Sequence, residues 1–398
     1  MASSEATWSS MSNSPKLERV RYSTVRVGEA LPWPVYNQSG QLMLERGAVV
    51  ETEKQLEKLI LYGMFVPEEV ARSLDEEHEK AQSPDSKQDG KRVNPLADHQ
   101  RWLFDLQKSY DIVSQQRPEG IVILHKLVDD LIDACDGDPD ASLGFIHYNA
   151  TQPTPTQLAL FYGVLSRLIA RQLDFDKSRT WSLVAAAVSA NAALMPYQEK
   201  LNQSASALTP RLREIINKHP ALSATMLQRV GINDPLWLQI VEQHHERPDG
   251  SGYPNGLRDG QILLEAQVIA LVERYAALVS ARGYRRRYHP HEALQEIRDD
   301  ARVLSQRTLL DALSMVLSEH PPGTFVQLTN GETAIVVHRG TGTQQPVLKA
   351  VLAKGGNPYL TPLKRDPSDL EFFIRERVFP TIWPKATLAS LWDYEEGG

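Results

Sequence analysis

The spacing of apolar and polar residues changes three times along the chain. From Tyr22 to about Val66 it is β-like and short: Thr24-Val25-Arg26-Val27, then Trp33-Pro34-Val35-Tyr36, then Gln41-Leu42-Met43-Leu44. Asn37-Gln38-Ser39-Gly40 separates the last two runs, and such a sequence supplies the positive φ of a tight turn. Leu56, Leu59 and Ile60 follow at helical spacing and predict a short amphipathic helix. From Trp102 to Glu319 the period is helical almost throughout. Ile121, Leu124, Val128, Leu131 and Cys135 mark one apolar face, and Leu158, Phe161, Leu165, Leu168 and Ile169 another. Pro and Gly gather at breaks such as Pro153-Thr154-Pro155 and Pro248 to Gly260. Beyond Pro321-Pro322-Gly323 the alternation is β again, with Phe325 to Leu328 and Thr333 to His338 flanking Thr329-Asn330-Gly331-Glu332 as a hairpin. Val347 to Leu352 follows as a further strand.

These patterns predict a mainly α protein: a helical bundle with a small N-terminal α+β module and a short C-terminal β appendage. The boundaries read as a disordered tail over 1–21, the module over 22–73, a charged linker over 74–100, and the helical domain over 101–320. The appendage spans 321–365 and a C-terminal tail 366–398, in which Trp383 and Trp392 stand among charges without an assigned role. The linker rests on Asp75 to Leu96, which is rich in Glu, Lys, Gln, Ser and Asp and almost devoid of apolar residues.

Composition narrows the class. The 398 residues carry 43 Lys and Arg against 50 Asp and Glu, a net charge of −7, which argues against binding a nucleic acid polymer through bulk charge. One cysteine, Cys135, excludes an internal disulfide and cysteine-pair zinc sites. Met1 to Ser14 lacks the apolar core of a signal peptide, and no apolar run is long enough for membrane insertion. A cytoplasmic protein is the expectation.

Candidate chemistry concentrates in His244-His245-Glu246-Arg247-Pro248-Asp249-Gly250-Ser251-Gly252-Tyr253-Pro254. Leu236, Ile240 and Val241 define a buried helical face that His244 continues, with His245 beside it. Two imidazoles at the inner end of a helix converge on a metal if that end faces a cavity, and the glycines with Pro254 force a loop that can wall it. His219 follows Leu212, Ile215 and Ile216 at helical spacing and points inward too. Imidazole suits iron, manganese, nickel or zinc. Glu273 stands four residues after Ile269 on another apolar helix, where a carboxylate needs a partner. On the residues alone, a metal site and a set of packed core histidines both stay open.

From His244 through Tyr253-Pro254-Asn255-Gly256-Leu257 the sequence resembles the signature of HD-GYP domains, the bacterial HD phosphohydrolases that cleave cyclic di-GMP. The resemblance extends over roughly Leu103 to Val351. It includes Lys218-His219-Pro220, the helix around Ile269-Ala270-Leu271 and Arg282-Gly283-Tyr284-Arg285. The Gly323 to Val337 hairpin and the Val27 to Val66 module are also similar to segments that accompany such domains. By position, the resemblance makes His219, His244 and His245 metal ligands and puts Glu273 where the family has a ligand aspartate. Arg282 and Arg285 fall near the element that contacts substrate phosphate, a task that suits guanidinium forks. Asp249, Gly250, Gly252, Tyr253 and Pro254 form the loop that would meet nucleotide or a partner such as a GGDEF-domain protein, exposing backbone and an aromatic ring.

The chain departs from that family at its His-Asp segment. Ser189 stands for the histidine, Ala190 for the aspartate and Ala193 for the lysine, within Ala185 to Ala193. A two-metal centre holds cations about 3.5–4 Å apart and uses both on the phosphate. Without the bridging aspartate, one iron, manganese or other divalent ion, or none, is the expectation. No catalytic residue is assigned. The expected function is a cyclic di-GMP signalling protein that binds nucleotide or a partner with little or no hydrolysis. The alternative is an active metal-dependent phosphodiesterase in which His147 or Glu273 substitutes for the missing ligands.

Overall fold

The computed structural model describes residues 16–82, 94–197, 209–281, 286–300, 307–340, 344–382 and 388–394. The chain divides into two units, Met1–Gly90 and Lys91–Gly398.

In the first unit, Leu17–Arg19 (β1), Val35–Tyr36 (β2), Leu42–Leu44 (β3) and Phe65–Pro67 (β4) form an antiparallel sheet in the order β1-β4-β2-β3. The Asn37 to Gly40 turn forms where the sequence places it. Gly40 takes φ +83° and the Asn37 side-chain oxygen accepts from the Gln41 amide at 2.8 Å. Helix α1 (Glu53–Tyr62) starts at a reciprocal Thr52/Gln55 capping box and buries Leu56, Leu59 and Ile60. Two expectations are corrected. Thr24 to Val27 is no strand, because Thr24 Oγ1 donates to the Arg21 carbonyl at 2.7 Å and closes a 3₁₀ turn over Tyr22–Thr24. The module also begins and ends outside 22–73. β1 lies within the stretch read as a tail, and helix α2 (Glu68–Gln82) runs on, its Asp75 accepting from Arg21 at 2.8 Å.

The second unit is built from helices α3 (Pro95–Ser114), α4 (Glu119–Gly137), α5 (Pro139–Asn149), α6 (Pro155–Gln172), α7 (Lys177–Ser189), α8 (Pro210–Arg229), α9 (Pro235–Gln243), α10 (Leu264–Val279), α11 (Pro290–Asp299) and α12 (Arg307–Leu317). One local signal recurs at their starts: a polar cap followed by proline, as in Asn94-Pro95, Asp138-Pro139, Thr154-Pro155, Thr209-Pro210 and Asp234-Pro235. Each cap accepts from an amide of the first turn, where proline's missing N–H costs nothing. The two apolar faces read from the sequence are the buried faces of α4 and α6, and a fully buried large side chain there contributes about 1.5–3 kcal/mol. Gly163 on α6 lets α7 approach closely, since a Cβ there would meet Val188 at 2.7 Å. Cys135 is buried, which pushes its thiol up to about 12, so it is unreactive. Among the described residues no helix is long and apolar enough to cross a membrane.

The C-terminal β region exceeds the expected hairpin. Phe325–Leu328 (β5), Thr333–His338 (β6), Val347–Leu352 (β7), Pro358–Arg365 (β8) and Ile374–Val378 (β9) form one antiparallel sheet, ordered β8-β7-β6-β5-β9. β9 comes from the segment read as a tail, because Ile374 completes the apolar cluster of Val326, Leu328, Ala334, Val336, Leu348 and Ala350. Trp392 gains a place here: it packs on Gly144 of α5, where any Cβ would lie 2.3 Å from its ring. Trp383 lies outside the described residues.

Glu332, only 5% exposed, accepts from Arg365 Nε at 2.7 Å and from Tyr359 Oη at 2.6 Å. Arg365 above all, with Tyr359, holds its carboxyl down at about 2. A depressed carboxylate stabilises the fold above its ordinary pKa of 4.5, and this contribution fades as pH falls from there towards 2. Glu332→Gln is expected to cost about 3 kcal/mol at pH 7 and to flatten the stability loss between pH 5 and 3, read by urea unfolding across that range. An unchanged midpoint at pH 7 would contradict it.

Candidate metal centre

His219, His244 and His245 come together, each offering a ring nitrogen within 4.8 Å of the others. Backbone chemistry explains why they converge. Pro220 sits inside α8 and has no N–H for the Ile216 carbonyl four residues earlier. The freed carbonyl instead receives His219 Nδ1–H at 2.6 Å. His244 follows the last residue of α9, where terminal carbonyls lack helical partners, and donates its Nδ1–H to Val241 at 2.6 Å. Both rings are thereby fixed as Nδ1–H tautomers, because a carbonyl only accepts. Their bare Nε2 atoms then face one another 3.2 Å apart.

Two opposed lone pairs at that separation repel unless a cation lies between them. Burial opposes protonation as the remedy: it pulls His219 down to about 4, and burial with neighbouring His219 pulls His244 to about 3. A divalent ion fits the donor set. With ligand bonds of about 2.0–2.1 Å, two nitrogens at right or tetrahedral angles lie roughly 2.8–3.4 Å apart. The backbone carbonyls on both Nδ1 atoms are the outer partners that orient metal-binding imidazoles. The histidines thus satisfy a one-ion site. A second ion finds no comparable set, since the clustered donors among the described residues are these three imidazoles.

The carboxylate near them is otherwise engaged. Glu273 Oε1 accepts from Asn191 Nδ2 at 2.6 Å, while Oε2 stays 3.7 Å from His245 Nε2. Burial raises its carboxyl to about 7 against the opposing Asn191 bond. Asn191 was not singled out from sequence, although it is the lone amide in an alanine run and so the one side chain there able to reach a carboxylate. At the neighbouring His-Asp position, buried Ser189 donates to the Ala185 carbonyl at 2.6 Å and accepts from Trp237 Nε1 at 2.8 Å. Its hydroxyl anchors α9 to α7 rather than any ligand. His147, offered as a substitute ligand, is corrected: its ring nitrogens meet the Pro322 carbonyl at 2.8 Å and Tyr275 Oη at 2.7 Å.

The Gly-Tyr-Pro loop closes over the imidazoles. Glu246, also missed from sequence, is 3% exposed and accepts from the Asn255 and Leu257 amides at 2.6 and 2.8 Å. The available signal was a carboxylate directly after two histidines at the start of a glycine-rich stretch. Asp249 Oδ1 accepts from the Ser251 amide at 2.8 Å, and Gly250 takes φ +77°. Gly252 lies against Glu246 and Arg247, and the Tyr253 amide donates to the His245 carbonyl at 3.2 Å. The Tyr253–Pro254 peptide is cis. The expected exposed aromatic ring is corrected: Tyr253 is half-buried with its ring 4.8 Å from His245, because the loop folds back on the histidines. Arg282 and Arg285 lie outside the described residues. The following Arg287 donates to Thr151 Oγ1 at 2.9 Å and stacks over Phe379.

The helical part of the chain is similar to known proteins. A family model described as an HD domain matches residues 146–307. The chain is 23% identical over 174 residues to the cyclic di-GMP phosphodiesterase PdeB of Borreliella burgdorferi, covering 44% of this chain and 46% of that protein. It is 25% identical over 218 residues to the cyclic di-GMP phosphodiesterase PA4108 of Pseudomonas aeruginosa, covering 54% and 51%. The chain thus spans about half the length of these two relatives. A solved structure of Bd1817, an HDG"Y"P protein from Bdellovibrio bacteriovorus, aligns over 76% of this chain and 99% of that one, at 18% identity and a TM-score of 0.45. Residues 146–307 thus match an HD domain.

Proposed function

We propose that this protein serves cyclic di-GMP signalling as a binding component, gripping nucleotide at a one-metal centre with little or no hydrolysis. The observation that carries this reading is the pair of facing Nε2 atoms in a donor cluster that, among the described residues, holds three imidazoles and no carboxylate. His219, His244 and His245 would hold the ion, which when bound supplies a Lewis-acid contact for a phosphoryl oxygen. The residues around it bind and exclude water. Tyr253 covers His245, and Glu246 holds the loop in its folded-back form. Asn191 keeps Glu273 oriented beside His245. Ala190 and Ala193 offer no ligand or phosphate donor where the resembled family has both. A GGDEF-domain protein is the macromolecular partner that the loop's exposed residues, Ser251 and Asn255, would suit.

The deciding experiment is calorimetric titration of cyclic di-GMP with and without Mn²⁺ or Fe²⁺, paired with a turnover assay. Saturable binding is expected. Losing one of two cations that share the developing charge removes several kcal/mol of transition-state stabilisation, so turnover is expected about three orders of magnitude below a two-metal relative assayed in parallel. Rapid release of linear dinucleotide would instead favour the phosphodiesterase activity that the curated relatives are named for.

A further inference from the structure

The short segment that closes α7 bonds to each helix that brings a donor to the metal centre. Ser189, the last residue of α7, accepts from Trp237 Nε1 of α9 at 2.8 Å. Two residues on, Asn191 Nδ2 donates to Glu273 of α10 at 2.6 Å. Two residues further, the Ala193 amide donates to Ser223 Oγ of α8 at 3.1 Å. Residues 189–193 thus reach the helices of His219 and Glu273 and the one that leads into His244. The segment is fixed in itself, because the Ala192 amide donates to the Ser189 carbonyl at 3.0 Å and the Leu194 amide to Asn191 at 2.9 Å. Ser189, Asn191 and Ser223 are buried, and so are Ala190 and Ala192, whose small side chains let the three helices come close.

Both seryl bonds are in register with an imidazole. Trp237 and His244 stand seven residues apart, so they share one face of α9, and fixing the indole fixes the direction in which His244 leaves the helix end. Ser223 stands four residues after His219 and shares its face of α8. The Ser189 hydroxyl spends its proton on the Ala185 carbonyl at 2.6 Å, which turns a lone pair to Trp237 Nε1. Ser182, seven residues earlier on α7, adds a second tie to α9 by donating to Asp234 at 2.6 Å. The facing Nε2 atoms, 3.2 Å apart, belong one to α8 and one to the end of α9. Their separation therefore depends on how these two helices are held, and a metal site needs its ligands placed to about 0.5 Å.

We infer that Ser189 and Ser223 are positioning residues: through the 189–193 segment they hold α9 and α8 at the spacing that lets His244 and His219 share one ion. The inference rests on the one-metal reading of these imidazoles. The test is calorimetric titration of the full chain with Mn²⁺, together with thermal unfolding in EDTA. Ser189→Ala and Ser223→Ala are each expected to weaken Mn²⁺ binding about three- to tenfold, the worth of one hydrogen bond. The two bonds reach different helices, so the double substitution should multiply the losses to about tenfold or more. Trp237→Phe deletes the same bond as Ser189→Ala, so it should match that variant and add nothing to it. It also takes that variant's place should Ser189→Ala not fold. Asn191→Ala, which reaches only the carboxylate helix, should keep the native affinity. A merely structural role would lower the melting temperature in EDTA and leave the Mn²⁺ dissociation constant where it is. Native Mn²⁺ affinity in both serine variants would overturn this inference alone. A native chain that binds no Mn²⁺ would overturn the one-metal reading and this inference with it.

Discussion

His244→Ala is expected to lower affinity for Mn²⁺ or Fe²⁺ by at least about 100-fold, beyond the 10- to 100-fold that loss of an outer-shell partner alone costs. His244 is fully buried and meets His219 at 3.2 Å, so its loss removes one of the three clustered nitrogen donors. Thermal unfolding gives the cleanest reading. An ion that binds only the folded state, at 100 times its dissociation constant, adds about 2.7 kcal/mol to stability. The native chain should therefore melt several degrees higher with Mn²⁺, and the His244→Ala chain should show no shift. Asn191→Ala serves as contrast. It frees Glu273 without removing an imidazole, so the metal-dependent shift is expected to persist. Equal shifts in the native and His244→Ala chains would show that the imidazoles hold no ion and are packed core residues.

Gly252→Ala is expected to open the loop and to lose cyclic di-GMP binding. A Cβ at Gly252 would lie 2.3 Å from the Arg247 amide nitrogen and 2.5 Å from the Glu246 Cα, and backbone atoms have no rotamer with which to retreat. Crowding of this kind costs about 1–3 kcal/mol, and it falls where Tyr253 bonds the His245 carbonyl and Glu246 holds Asn255 and Leu257. Gly260 lies on the same segment with open space around its Cβ, so Gly260→Ala should be silent. Titration of both variants, with circular dichroism to confirm folding, separates the outcomes. Native affinity in Gly252→Ala would mean that the loop takes no part in binding.

Several features were readable because their signals are local. The periodicity of Ile121 to Cys135 and of Leu158 to Ile169 names the buried faces of α4 and α6, since burial of an apolar stripe follows directly from helical geometry. The Asn37 to Gly40 turn and the Thr329 to Glu332 hairpin turn are likewise matters of four residues. Thr24 to Val27 misled because a hydroxyl bond to the backbone three residues away prevailed over β propensity. β9 was missed because its apolar side chains are few, and what places it is an open edge on β5 about fifty residues earlier.

The candidate site divides in the same way. The chain by itself determined the three imidazoles, the Gly-Tyr-Pro loop and the alanines at the His-Asp position, because each is a matter of which side chain stands where. Only the tertiary structure decided which ring nitrogens face one another, that Asn191 occupies Glu273, that Ser189 serves Trp237 and that Tyr253 turns inward onto His245. Those outcomes depend on helices far apart in sequence meeting at one point. Hydrogen-bond partnership there is a competition settled by distance and burial, which no local pattern encodes.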